Sequence, residues 1–153
     1  MVGSKKKVKQ EKTPEGNRIY KKGNPDQYYS SHPSWNFSIC DRKQWSLFSD
    51  KQREIFWNEI LPHFQSWETQ TWKEILVGAK KQNHSINVTA LNKVASDRLA
   101  ELYIEAESLI SFRLTGTHRV YGYMNGAVFN ILWVDLNHGD NTSCVCRSHK
   151  KYT

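Results

Sequence analysis

Apolar and polar positions follow two periods along this chain, and the clearer one, a strand-like alternation, lies in the C-terminal third. From Ser108 to His138, three runs rich in Val, Ile, Phe, Tyr and Trp are separated by Thr115-Gly116-Thr117 and by Asn125-Gly126. This pattern predicts an antiparallel three-stranded meander. Asn-Gly accepts positive φ at both residues and suits a two-residue type I′ turn. That turn sets Met124 opposite Ala127, and Gly122, Val120 and His118 across from Phe129, Ile131 and Trp133, which makes one face largely apolar. Arg119, Tyr121 and Tyr123 then stand on the other face, opposite Leu132, Asn130 and Val128. A slip of one residue would exchange the two faces. For the first strand, a three-residue loop puts Phe112 and Leu114 on the core face and Arg113 beside Arg119. A two-residue loop would bury an unpaired guanidinium, which is the costlier arrangement. Arg113, Arg119, Tyr121 and Tyr123 are therefore expected to share one surface.

Upstream the period changes to that of helices. Ser49-Asp50 offers an N-cap ahead of Ile55, Phe56, Ile60, Leu61 and Phe64, a helical stripe that bends or ends near Pro62. Thr69 or Thr71 caps a second helix through Trp72, Ile75, Leu76 and Ala79, ended by Gly78 and the polar run after it. A third helix opens at Asn87 or Thr89 and carries a stripe of Ala90, Leu91, Val94, Ala95, Leu99 and Leu102, with Lys93, Asp97, Arg98 and Glu101 elsewhere. Trp35 to Ile39 alternates like a short strand able to join the C-terminal sheet. Helices followed by a meander predict an α+β domain, with the helices packed on one face of the antiparallel sheet and the arginine and tyrosine face left free.

Composition adds a tail and a charge. The chain has 153 residues, long enough for one domain with a real core. Residues 1–30 hold Lys5-Lys6-Lys7, Lys21-Lys22, Pro14, Gly16 and Pro25 with almost no aliphatic residues, so they are expected to be a basic mobile arm ahead of a single domain at 31–153. The balance of 22 Lys and Arg against 15 Asp and Glu gives +7, which favours a polyanionic partner. Neither an apolar run of spanning length nor an apolar stretch behind the basic start is present in the sequence, so a cytoplasmic protein without a membrane segment is expected. Three cysteines suit a reducing compartment.

The segment from Arg113 through Arg119, Tyr121 and Tyr123, then Val128 to Asp135 and His138, resembles the sheet of the RelE/ParE-like toxin superfamily, in which an arginine-bearing strand is followed by a hairpin and a strand ending near a histidine. The stretch from residue 71 to 153 also resembles a bacterial family found near defence or toxin genes. Its T-W-x-E-I, H-x-I, A-x-x-R-L, R-L-x-G-x-x-R-V-x-G and L-W-x-D-x-x-H elements stand here at Thr71–Ile75, His84–Ile86, Ala95–Leu99, Arg113–Gly122 and Leu132–His138, before a terminal Ser148-His149-Lys150-Lys151-Tyr152-Thr153. The superfamily's basic triplet has no counterpart in this chain.

The toxin resemblance implies a RelE-like fold and metal-free RNA cleavage without a cofactor, on the ribosome or off it, restrained by an antitoxin protein. Such chemistry needs a base for the ribose 2′-OH, cations for the charge that builds on phosphorus, and an acid for the leaving oxygen. Arg113 and Arg119 suit the cationic role, because a guanidinium grips phosphate oxygens with two hydrogen bonds. Tyr121, Tyr123 and His138 are candidates for proton transfer or base stacking, and Lys150 and Lys151 for holding phosphate. A plainer reading pairs Arg119 with Asp135 or Glu107 and uses the tyrosines to cover the sheet. His138, Cys144, Cys146 and His149 admit a zinc reading, weakened by the unusual Cys-x-Cys spacing. Beside cleavage stands an alternative of another class, a non-catalytic module that binds nucleic acid or protein with the same face.

Overall fold

A computed structural model describes residues 18–19, 27–140 and 142–147. In chain order the elements are β1 (Arg18–Ile19), β2 (Ser34–Asn36), helix α1 (52–67), helical segment α2 (72–78), β3 (Asn83–Asn87), α3 (Lys93–Glu101), β4 (Ile104–Glu105), β5 (Ser108–Arg113), β6 (Arg119–Asn125) and β7 (Val128–Asp135). The fold is mixed α+β. A five-stranded sheet in the order β2-β7-β6-β5-β3 has β2 parallel to β7 and every other pairing antiparallel. Separately, β1 pairs in parallel with β4. None of the described helices is long and apolar enough to cross a membrane.

The meander forms as its pattern predicts, with two differences in register. At the first loop, Leu114 N–H donates to His118 O at 3.0 Å, leaving Thr115-Gly116-Thr117 as a three-residue loop, and Arg113 faces Arg119. At the second, the turn is Gly126-Ala127 rather than Asn125-Gly126: Asn125 pairs with Val128, and Gly126 alone takes a positive φ, +64°. Glycine at the first central position is the signature of a II′ turn. Met124 consequently meets Phe129, two residues beyond the predicted partner, and because side chains alternate with period two the faces keep their sorting.

A bulge between Tyr121 and Gly122 then changes that sorting. It sets Tyr121 opposite Trp133 and Val120 opposite Val134, so Trp133 leaves its predicted face and joins Tyr121. Gly122 is required there, since a Cβ would stand 2.0 Å from the carbonyl oxygen of Asn130.

Both faces of the sheet are covered, which corrects the expectation of helices on one face only. On one side Phe112, Phe129 and Val134 pack against Phe64 of α1 and Trp72 of α2, with Trp35 stacked on Phe64 at 4.1 Å. On the other, Leu91 together with Ala95 and Leu99 of α3 covers Tyr121, Leu132 and Trp133. The bulge explains the second layer. It turns Trp133 to the side where Tyr121 already stands, each ring with ~150–250 Å² to bury, and an amphipathic helix is the economical cover. Val94, read as part of the α3 stripe, is exposed.

Local chemistry shapes the helices. Ahead of α1, Gln52 N–H donates to Ser49 O and Arg53 N–H to Asp50 O, so the helix starts where the cap residues predict. It runs through Pro62. Leu61 N–H reaches back five residues to Phe56 O, and this π turn, Phe56–Ile60, widens the helix just where proline would otherwise crowd the carbonyl four residues earlier. Thr71 caps α2 through a reciprocal box in which Thr71 N–H donates to Glu74 Oε1 at 2.8 Å and Glu74 N–H to Thr71 Oγ1 at 3.3 Å. Tyr28 and Tyr29 pack on the core, and Tyr29 O accepts from Lys73 N–H, so the folded body takes in residues just before 31.

Two features went unread in the sequence. Asn83–Asn87, in the polar stretch between the second and third predicted helices, is an edge strand on β5 whose residues carry no apolar alternation. Asp41, fully buried, accepts two bonds from Arg98 and one from Trp133 Nε1, and so ties the loop before α1 to α3 and β7.

Candidate functional site

The candidate residues converge on one end of the sheet, around the β5–β6 loop. The loop is stiffened from within: His118 N–H donates to Thr115 Oγ1 at 3.2 Å, and Arg119 Nη1 donates to the carbonyl oxygens of Thr115, Gly116 and His118 at 2.6, 3.2 and 3.2 Å. His138 N–H donates to Thr117 O at 2.9 Å, holding the exit of β7 against the same loop. Arg113 and Arg119 are cross-strand neighbours and the backbone of His138 is held at the same loop, with Arg113 exposed at the rim. Partial burial first, and the charge of Arg113 second, push the Arg119 guanidinium below its ordinary pKa. A nearby anion would relieve both.

Tyr121 and Tyr123 do not belong to this surface. Tyr121 is fully buried under the segment 144–146, its hydroxyl 3.0 Å from Cys146 Sγ, and burial followed by the neighbouring thiol raises its pKa. Tyr123 is buried in the same layer. The expected four-residue face is therefore corrected to an arginine pair at the loop end, because α3 and the chain after β7 cover the tyrosines.

A pair that the sequence did not flag stands at the same end, on the helix side. His118 Nδ1 lies 2.6 Å from Glu59 Oε1, with the two side chains 20 % and 24 % exposed. The carboxylate accepts, so Nδ1 carries the hydrogen, and in the neutral ring the lone pair is on Nε2. His63 Nδ1 donates to the carbonyl oxygen of the same Glu59 at 2.8 Å. Glu59 sits in the π turn, whose extra residue per turn rotates it relative to a regular helix. Strand parity already turned His118 toward the helices. Nothing in the sequence announced the π turn that brings Glu59 to it.

The cysteines are engaged inside the fold. Cys144 Sγ donates to Cys146 O at 2.9 Å, burial raises the pKa of both thiols, and Asn92 Nδ2 binds the carbonyls of residues 144 and 146. Among the described residues, no group of three or more His, Cys, Asp or Glu is disposed to hold a metal ion. Lys150, Lys151 and His149 lie outside the described residues.

Comparisons with protein-family models, with curated proteins and with solved structures give no match to this chain.

Proposed function

We propose that this protein binds RNA at the β5–β6 end of the sheet and cleaves it without a metal, in the manner of a RelE-like toxin. The observation that carries the reading is the Glu59–His118 contact at the same end of the sheet as the Arg113–Arg119 pair, on the side that faces the helices. Glu59 orients the imidazole, and His118 Nε2 takes the proton from the ribose 2′-OH as that oxygen attacks phosphorus. Arg113, with the edge of Arg119, meets the negative charge that builds on the phosphate. His138, held at Thr117, is the candidate to protonate the leaving 5′ oxygen. The net charge of +7 supports a polyanionic substrate, and a protein partner that restrains the activity belongs to the same reading.

The test is incubation of purified protein with a mixed-sequence RNA, with and without ribosomes, followed by end mapping. Wild type should yield 2′,3′-cyclic phosphate ends. His118→Ala should lose them by about 10²–10⁴-fold, the span of a general base, and Arg113→Ala should weaken cleavage most at low salt and leave it less dependent on salt than wild type. Intact RNA in both settings would overturn cleavage.

A second reading has its own observation. Arg119 spends three donor bonds on its loop, as a structural arginine does, so the same end serves a non-catalytic nucleic-acid-binding module. Salt-dependent retardation of RNA that stays intact would favour it.

A further inference from the structure

The loop after β2 and the first turn of α1 enclose a cavity of about 480 Å³ at the exit of β7, within the size range of small-molecule sites. Three cations line it, Arg42, Lys43 and Lys51, with the aromatic rings of Trp45 and Phe48. Among the described residues, no carboxylate lines it. Arg42 Cζ lies 4.1 Å over the Phe48 ring, a cation–π contact that fixes the guanidinium at the mouth. At the floor is Gln52, only 4 % exposed: its Nε2 donates to Val134 O at 3.4 Å, and its Oε1 meets no donor.

Position links this cavity to the loop end. Leu136 and Asn137, which also line it, stand between Asp135, the cross-strand partner of Arg119, and His138, bonded to Thr117. Three cations without a counter-charge suit an anion. Flat aromatic walls and an unmatched acceptor suit a heteroaromatic ring bearing N–H groups. A nucleotide combines these, and single-stranded RNA is recognised by this mixture of phosphate-binding cations and stacking rings.

We propose that the cavity holds one nucleotide of the RNA flanking the scissile bond, its base against Phe48 and its phosphate on Lys43 and Lys51; this rests on RNA as the substrate of the adjoining site. Lys43, Lys51 and Phe48 are exposed, so substituting them leaves the core intact.

Calorimetric titration of the full chain with the four ribonucleoside 5′-monophosphates, with ribose 5-phosphate and with inorganic phosphate tests the inference. At least one mononucleotide should bind about ten-fold or more tighter than ribose 5-phosphate, the margin that one stacked base supplies. Phe48→Ala should erase that margin, and the double variant Lys43→Glu with Lys51→Glu should remove binding of all phosphates. Equal affinity for mononucleotide and ribose 5-phosphate, or no binding at all, overturns the nucleotide pocket even where RNA is cleaved. Nucleotide binding with RNA left intact overturns cleavage and keeps the pocket.

Discussion

Asp41 and Arg98, 57 residues apart, form a two-pronged ion pair at 2.8 Å that is almost closed to solvent. Trp133 Nε1 and the backbone N–H groups of Lys43 and Gln44 complete the shell of the carboxylate. Breaking such a pair from one side strands a buried charge. Arg98→Ala is therefore expected to cost ~3–5 kcal/mol. Chemical denaturation with far-ultraviolet circular dichroism measures it, and a loss below about 1 kcal/mol would mean that the pair is not shielded as described.

The same carboxylate should make stability depend on acid. Burial by itself would raise the Asp41 pKa, but the bonds from Arg98, Lys43 and Trp133 outweigh it and hold the group at about 2, against 3.8 for a free side chain. A lowered folded-state pKa stabilises the fold above the unfolded value and loses that contribution as pH falls from about 4 toward 2. The contribution at neutral pH is about 2 kcal/mol. Denaturation midpoints from pH 7 to pH 2 should show this loss, and Asp41→Asn should flatten that part of the profile.

Gly122→Ala places a methyl group against the Asn130 carbonyl inside the bulge. Backbone on that side does not yield as a flexible side chain would, so a loss of at least ~1–3 kcal/mol is expected. Thermal unfolding compared with Gly116→Ala, where the added Cβ meets nothing within 4 Å, separates the clash from any general effect of losing a glycine.

Tyr121→Phe removes a hydroxyl held on the buried side of the sheet between Cys146 and Ser111. Stability should fall by about 1 kcal/mol, the scale of one buried hydrogen bond. RNA binding and cleavage should stay within about two-fold. A large loss of cleavage with the fold intact would return Tyr121 to the site.

Much of this arrangement was readable in the order of residues. The period-two runs and their turn residues located the meander, the unfavourable burial of Arg113 selected the three-residue loop, and the Trp72 stripe marked a core helix. Asn83–Asn87 escaped because an edge strand of polar residues has no alternation to read. The tyrosine face was misjudged for a different reason: strand parity sorts Tyr121 and Tyr123 to their side of β6, but it says nothing of what covers that side, and α3 with the segment 144–146 lies over it.

What the sequence determined by itself is local: which stretches alternate, where Pro62 and Thr71 shape helices, and that Arg113 and Arg119 stand side by side. Those outcomes depend on neighbours within a few residues, where sterics and hydrogen bonding are set by residue type. Only the tertiary structure decided that α3 covers the second face, that Arg98 reaches Asp41, and that the π turn carries Glu59 to His118. Each joins groups far apart in the chain, and such contacts follow from how whole layers pack, which no local pattern specifies.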